Sequence, residues 1–293
     1  MDLPKILLLG KNGQVGWELQ RTLAPLGQVW ALDYPEIDFA EGAALRKLVL
    51  EHQPQILVNA GAYTAVDKAE SEPDRALLIN GLAPGILAEA AKQIGALLVH
   101  YSTDYVYDGT KRTPYVETDA PNPLSAYGRS KLAGDEAIQQ VGGAHLIFRL
   151  CWVYGARGQN FMLTMMRLAR ERETLRVVAD QFGSPTWSRM IAEATALAVR
   201  QTVSAGAGRD WSGVYHLRAG GETHWHEFAS RIIELMPAAE RKCKTVEAIT
   251  TADYPTPARR PAYSVMSSEK LRRTFGIELP AWEPSLRLAL DQP

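Results

Sequence analysis

Lys5-Ile-Leu-Leu-Leu-Gly10-Lys-Asn-Gly13-Gln-Val-Gly16-Trp-Glu-Leu-Gln-Arg-Thr-Leu23 is the stretch that decides the fold. Its short apolar run reads as a buried strand, and the residues after Gly16 have helical spacing. Between them lies a GxxGxxG loop. Glycines permit a tight turn and close backbone approach, and a helix N-terminus offers free N–H groups to a pyrophosphate. Gly10, Asn12, Gly13, Gln14, Val15 and Gly16 are therefore candidate dinucleotide-binding residues. A glycine turn without a ligand is the alternative; the flanking strand and helix favour the binding reading.

Working outward, Gln28–Asp33 reads as a second strand ending in an acid, about 20 residues past the loop, where a carboxylate accepts hydrogen bonds from an adenosine ribose. Negative charge at Asp33 disfavours a 2′-phosphate, so NADH is expected over NADPH. In Glu36-Ile-Asp38-Phe39 a carboxylate and an aromatic could hold adenine; Asp38 could equally cap a helix over Ala43–Leu50. Gln55–Asn59 is a third strand, and the small residues Ala60-Gly-Ala62 after it suit backbone near a cofactor. Ala76–Ile94 is helical in pattern, with Pro84 marking a start or a kink. Ala96–Tyr101 is a fourth strand, and Ser102-Thr103-Asp104 lies at its carboxyl end, where open α/β sheets place ligands.

The alternation predicts an α/β fold: a Rossmann-like doubly wound parallel sheet over residues 1–150, with 176–205 returning to it. Residues 151–175 and 206–293 are expected to form a smaller C-terminal α/β substrate-binding region. There the Met-rich helix Asn160–Leu168 reads as core packing, Ser204–Trp211 as an exposed loop, and Thr223 as the cap of a helix over His224–Met236. His224 and His226 are no ligand pair if both sit on that helix, because rings at i and i+2 diverge.

A net charge of −1 spread over 293 residues excludes a general polyanion-binding surface, and no nucleic-acid motif is present. Two cysteines, Cys151 and Cys243, form no CxxC pair, which fits a reducing cytoplasm and no zinc site. No run approaches the ~20 apolar residues of a membrane span.

Tyr127-Gly-Arg-Ser-Lys131 sets a phenol and an ammonium on one helix face. The ammonium is expected to lower the phenol from its ordinary value of about 10, which suits it to proton transfer. Glycine loop, Thr after a strand, then YxxxK is the order of the short-chain dehydrogenase/reductase superfamily. With Ala62–Glu70, Ser102–Gly109, Trp152-Val-Tyr-Gly155, Asp180–Thr186 and Thr256–Pro261, the chain resembles, from end to end, the dTDP-4-dehydrorhamnose reductase family.

That resemblance implies hydride transfer from NADH or NADPH to the C4 carbonyl of a dTDP-keto-sugar, a late step towards O-antigen and other rhamnose polymers. It implies that Thr103, Tyr127 and Lys131 are catalytic. It also implies that Thr103, Asp104 and Trp152 face the sugar. Ala62, Tyr63, Thr64, Asp38, Phe39, Tyr127 and Lys131 would join the glycine loop and Asp33 around the dinucleotide. Some members are magnesium-linked homodimers held by acids. Here Arg189 stands where one such acid is sought and the C-terminal helix offers only Asp291, so Mg2+ ligands are not matched. Cys151 replaces a usual Ser and is expected to be a buried small residue.

Two other readings share the fold. A dehydratase or epimerase would need further acid–base groups, commonly Thr-Asp-Glu; here the order is Thr103-Asp104-Tyr105, and a phenol does not replace that carboxylate. A non-catalytic regulatory subunit of the methionine adenosyltransferase type would not need the Thr103/Tyr127/Lys131 set.

Overall fold

The computed structural model describes residues 3–204 and 210–291. Its first half runs β1 (Lys5–Leu9), α1 (Gln14–Thr22), β2 (Gln28–Leu32), α2 (Gly42–His52), β3 (Ile56–Asn59), α3 (Pro73–Leu77), α4 (Ala83–Ile94), β4 (Leu97–Thr103), α5 (Ala126–Val141) and β5 (His145–Leu150). The second half runs β6 (Val153–Tyr154), α6 (Phe161–Glu171), β7 (Thr174–Val178), β8 (Phe182–Gly183), β9 (Thr186–Trp187), α7 (Ser188–Ser204), β10 (Gly213–His216), β11 (Thr223–His224), α8 (Trp225–Leu235), β12 (Thr245–Ile249), α9 (Glu269–Phe275) and α10 (Trp282–Leu290).

Six strands form one parallel sheet in the order β10-β5-β4-β3-β1-β2. Side chains alternate across a strand, and here both faces are covered, which is why β1 is apolar throughout. Ile6 and Leu8 pack with Leu19 of α1, Leu23 at its C-cap, and Ile191 and Ala198 of α7. Leu7 and Leu9 pack on the other face with Leu45 and Val49 of α2, Leu87 of α4 and Ile138 of α5. The chain order reverses at β1, between β2 and β3, and opens a crevice beyond the carboxyl ends of the strands.

A second core lies C-terminal to the sheet. There β7 and β12 pair in parallel, and Met162, Met165, Phe228, Ile232 and Leu286 of α6, α8 and α10 close over them. The boundary between the two parts differs from the expected one. Gly213–His216 pairs with β5 at the edge of the main sheet, and Leu271 and Phe275 of α9 pack into the main core, although sequence reading put both in the substrate region. Conversely Thr174–Val178 pairs with β12 rather than returning to the main sheet. Much of the loop expected over Ser204–Trp211 lies outside the described residues; Trp211 itself is not exposed but buried, stacked on Phe275 at 5.0 Å.

Two local expectations are also corrected. The helical run from Pro73 to Ile94 is interrupted by a π-helical turn at Leu78–Leu82, and Pro84 follows within the first turn of α4. The wider turn accommodates a residue with no N–H to give. The N-cap of α8 is His224, whose side chain accepts from Glu227 N, while Thr223 Oγ1 donates to the Glu227 carboxylate at 2.6 Å. Because His224 sits at the cap, its ring lies near that of His226, at 5.8 Å and 24°, rather than diverging. Among the described residues no helix is long and apolar enough to cross a membrane.

Candidate active site

A cleft of about 700 Å³ opens at the crevice. Its floor is the glycine loop. Gly10 has φ +91°, and a Cβ there would lie 2.4 Å from Gly61 N; a Cβ on Gly16 would lie 1.9 Å from the Gly10 carbonyl oxygen. Glycine at these two positions lets the loop close on itself and on the β3 end. Gly16 thus packs the turn, while Gly10, Asn12, Gly13, Gln14 and Val15 line the cleft. Gly13 is the N-cap of α1 and supplies no capping side chain, so the first-turn N–H groups lack a side-chain partner. That cradle fits a dinucleotide pyrophosphate.

Asp33 lines the same cleft, its Oδ2 accepting from Asn12 N at 2.9 Å and its Oδ1 from Tyr34 N at 2.8 Å. Glu36 accepts from Asp33 N and pairs with Lys11 at 2.7 Å; the Lys11 ammonium holds its carboxyl below the usual range. Asp38 accepts from Ala40 N in a local turn and does not cap α2, whose N-cap is Glu41. Asp38 and Phe39 both line the cleft, the Phe39 ring directly against Gly61. Ala62 and Thr64 line it as well. Tyr63 is engaged elsewhere: its backbone is clamped by the Asn80 amide at 2.8 and 2.9 Å, and its hydroxyl donates to Glu72.

The reacting end of the cleft is built from β4 and α5. Ser125 caps α5 by accepting from Gly128 N, and Glu70 accepts from Ala126 N at 2.7 Å. The helix therefore starts where Tyr127 and Lys131 both project into the cleft. Thr103 and Asp104 reach it from the carboxyl end of β4. Thr103 Oγ1 donates to Asp104 Oδ1 at 3.1 Å and accepts from Tyr105 N at 3.2 Å. Cys151 Sγ donates to Asp104 Oδ2 at 3.2 Å, and burial pushes the Asp104 carboxyl up to about 6.

Lys131 does not lower the Tyr127 phenol as its spacing suggested. Burial pushes Tyr127 up to about 12, against a smaller opposing effect of its hydrogen bond with Thr103. Lys131 is turned to the strand instead: Nζ donates to the Tyr101 carbonyl at 2.6 Å and lies 3.3 Å from His100 Nε2. Burial lowers Lys131 to about 8. Tyr105 crosses Tyr127 edge to face, at 5.9 Å and 80°.

Trp152 lines the far wall with φ +45°, an uncommon conformation for a bulky residue. Trp225, at the start of α8, stacks on it at 3.5 Å and 7° and lines the cleft too. Sequence reading missed Trp225, Tyr34, Arg75 and Gln159. No motif marks Trp225, since only the docking of α8 brings it to Trp152. Cys151 is buried; its Sγ accepts from Ser184 N at 3.1 Å, and burial pushes the thiol well up, as expected of an inert residue. Arg189 pairs with Glu193 at 3.1 Å, and among the described residues no cluster of three or more His, Cys, Asp or Glu could hold a metal ion.

Residues 4–293 match the RmlD substrate binding domain family. A dTDP-4-dehydrorhamnose reductase of Burkholderia thailandensis is 51% identical over 291 residues, covering 98% of both chains. Among solved structures, a dTDP-4-dehydrorhamnose reductase of Clostridium acetobutylicum superposes with a TM-score of 0.90 at 36% identity, over 98% of both chains. Another, of Bacillus anthracis in complex with NADP, gives 0.89 at 34% identity over 98% of this chain and 99% of that one.

Proposed function

The chain belongs to the RmlD substrate binding domain family, and from that premise we propose that it is a dTDP-4-dehydrorhamnose reductase. In this reading it converts dTDP-4-dehydro-β-L-rhamnose to dTDP-L-rhamnose in the cytoplasm, at the expense of NADH or NADPH. What carries the reading is a juxtaposition: Thr103 from the end of β4 and Tyr127 and Lys131 from α5 line one cleft with the glycine loop and Asp33, which sets a phenol proton donor beside a dinucleotide cradle.

A bound nicotinamide supplies hydride to C4. The chain's own residues do the rest. Tyr127 gives its proton to the C4 oxygen, and Thr103 turns its hydroxyl from Asp104 to donate to the same oxygen. Lys131, one turn along α5, would hold the nicotinamide ribose. Asp33 receives ribose hydroxyls, which supports NADH over NADPH. Asp104 and Trp152 orient the sugar. Tyr105 in place of a carboxylate beside Asp104 leaves no second acid–base pair for elimination.

The test is a coupled assay supplying dTDP-4-dehydrorhamnose made in situ with NADH or NADPH. Net cofactor oxidation with dTDP-L-rhamnose as product is expected. Turnover without net oxidation would show a dehydratase or epimerase. Binding of NADH without oxidation by any dTDP-keto-sugar would show a non-catalytic subunit.

A further inference from the structure

Behind Lys131 lies a buried polar chain whose proton positions can be deduced. Asn59, His100 and Lys131 are all buried. The Gly61 backbone N–H, a donor that cannot change role, gives to Asn59 Oδ1 at 3.2 Å. This fixes the Asn59 amide, so its NH2 faces His100 Nδ1 at 3.1 Å. Nδ1 must then accept. A neutral imidazole has one N–H, so it sits on Nε2, which faces Lys131 Nζ at 3.3 Å. Nζ already donates to the Tyr101 carbonyl at 2.6 Å. An ammonium has no lone pair with which to accept from Nε2–H, whereas a neutral amine has one.

We propose that His100 is a positioning residue for Lys131: held by Asn59 as its Nε2–H tautomer, it makes the uncharged amine the form of Lys131 that completes the network before a ligand binds. Charging Lys131 then requires His100 to change tautomer and Asn59 to turn its carbonyl from Gly61 to Nδ1–H. Gly61 also lines the dinucleotide cleft, so a ligand that offers its N–H another acceptor releases Asn59 for that turn. The proton taken up at Nζ comes from solvent, and no other group changes charge.

The neighbours agree with this assignment. Burial lowers His100 well below its ordinary value, so a doubly protonated ring is disfavoured. Asp135, one turn later on α5, acts on the Lys131 charge, and Tyr127, one turn earlier, lines the same cleft. Asp135, paired with Arg149 of β5 at 3.1 Å, favours the ammonium from that side, and the burial that lowers Lys131 outweighs it. β4 presents the Tyr101 carbonyl and His100 to Nζ, and Asn59 of β3 lies behind His100.

The inference rests on the reductase reading for the role of Lys131, but its first test does not need turnover. In protein labelled with 15N-histidine, the His100 signal, assigned by its loss in His100→Gln, should show the Nε2–H tautomer at neutral pH without ligand. An Nδ1–H tautomer or a doubly protonated ring overturns the proposal. The second test is the pH profile of kcat/KM for the keto-sugar. In His100→Gln the amide can turn its oxygen to Nζ, so the ammonium persists and the alkaline limb should move up by about one pH unit. An unmoved limb overturns it. If no keto-sugar is turned over at all, the reductase reading fails, and the tautomer still decides the positioning role.

Discussion

Trp152 and Trp225 stack face to face, with ring centroids 3.5 Å apart and planes within 7°. One face of the indole implied to carry the sugar is therefore already covered. The sugar must use what Trp225 leaves, or displace it. On the proposed reading Trp225 shapes the sugar site and not the dinucleotide site. Trp225→Ala should change KM for the keto-sugar about 10-fold, the scale of one aromatic contact, and leave the NADH Kd within about twofold. Steady-state kinetics and NADH titration check this; a change in NADH affinity alone would place Trp225 outside the sugar site.

Tyr127→Phe removes the proposed proton donor while keeping the ring that packs beside Tyr105. Turnover should fall about 10²-fold or more with NADH affinity nearly unchanged. A variant that turned over normally would require a different donor.

Asp33 is held by two backbone N–H groups, so its carboxylate is fixed before any cofactor arrives. Asp33→Ala should weaken NADH more than NADPH, because a 2′-phosphate is repelled by the carboxylate and the ribose hydroxyls of NADH are received by it. Equal weakening of the two in side-by-side titrations would mean that Asp33 only braces the glycine loop.

Asp104 gives the fold a pH signature. Burial raises its carboxyl from the ordinary 3.8 to about 6. A group raised in this way favours folding when protonated. Its contribution is complete below about pH 4 and lost as pH rises through about 6. At pH 8 the buried carboxylate costs on the order of 2–3 kcal/mol. Asp104→Asn should therefore be the more stable protein at pH 8, with the gap closing towards pH 4, while losing activity. Denaturant unfolding at the two pH values measures it; a gap independent of pH would contradict the assignment.

Some of this was legible in the residues alone. A five-residue apolar run, three glycines and a helical pattern specify a strand, a turn and a helix by local sterics and periodicity, and their repetition specifies a parallel sheet. Tyr127 and Lys131 share a helix face by spacing. Thr103 stands at a strand end, and the resemblance that the order of these features with Asp33 carries implies a dinucleotide and proton transfer at a carbonyl.

What spacing does not carry is environment. The separation of Tyr127 from Lys131 suggests a lowered phenol; burial raises it, and Nζ turns to the Tyr101 carbonyl instead. Tyr63 follows Ala62 in sequence, yet the Asn80 clamp and Glu72 engage it away from the cleft. Trp225 meets Trp152 only because the second core docks α8 there, and His100 meets Lys131 only because β4 runs beneath α5. The sequence by itself determined which local elements form and which reactive groups the chain carries. The tertiary structure decided which of them share a cleft and in what protonation state, because burial and long-range hydrogen bonds depend on residues far apart in the chain.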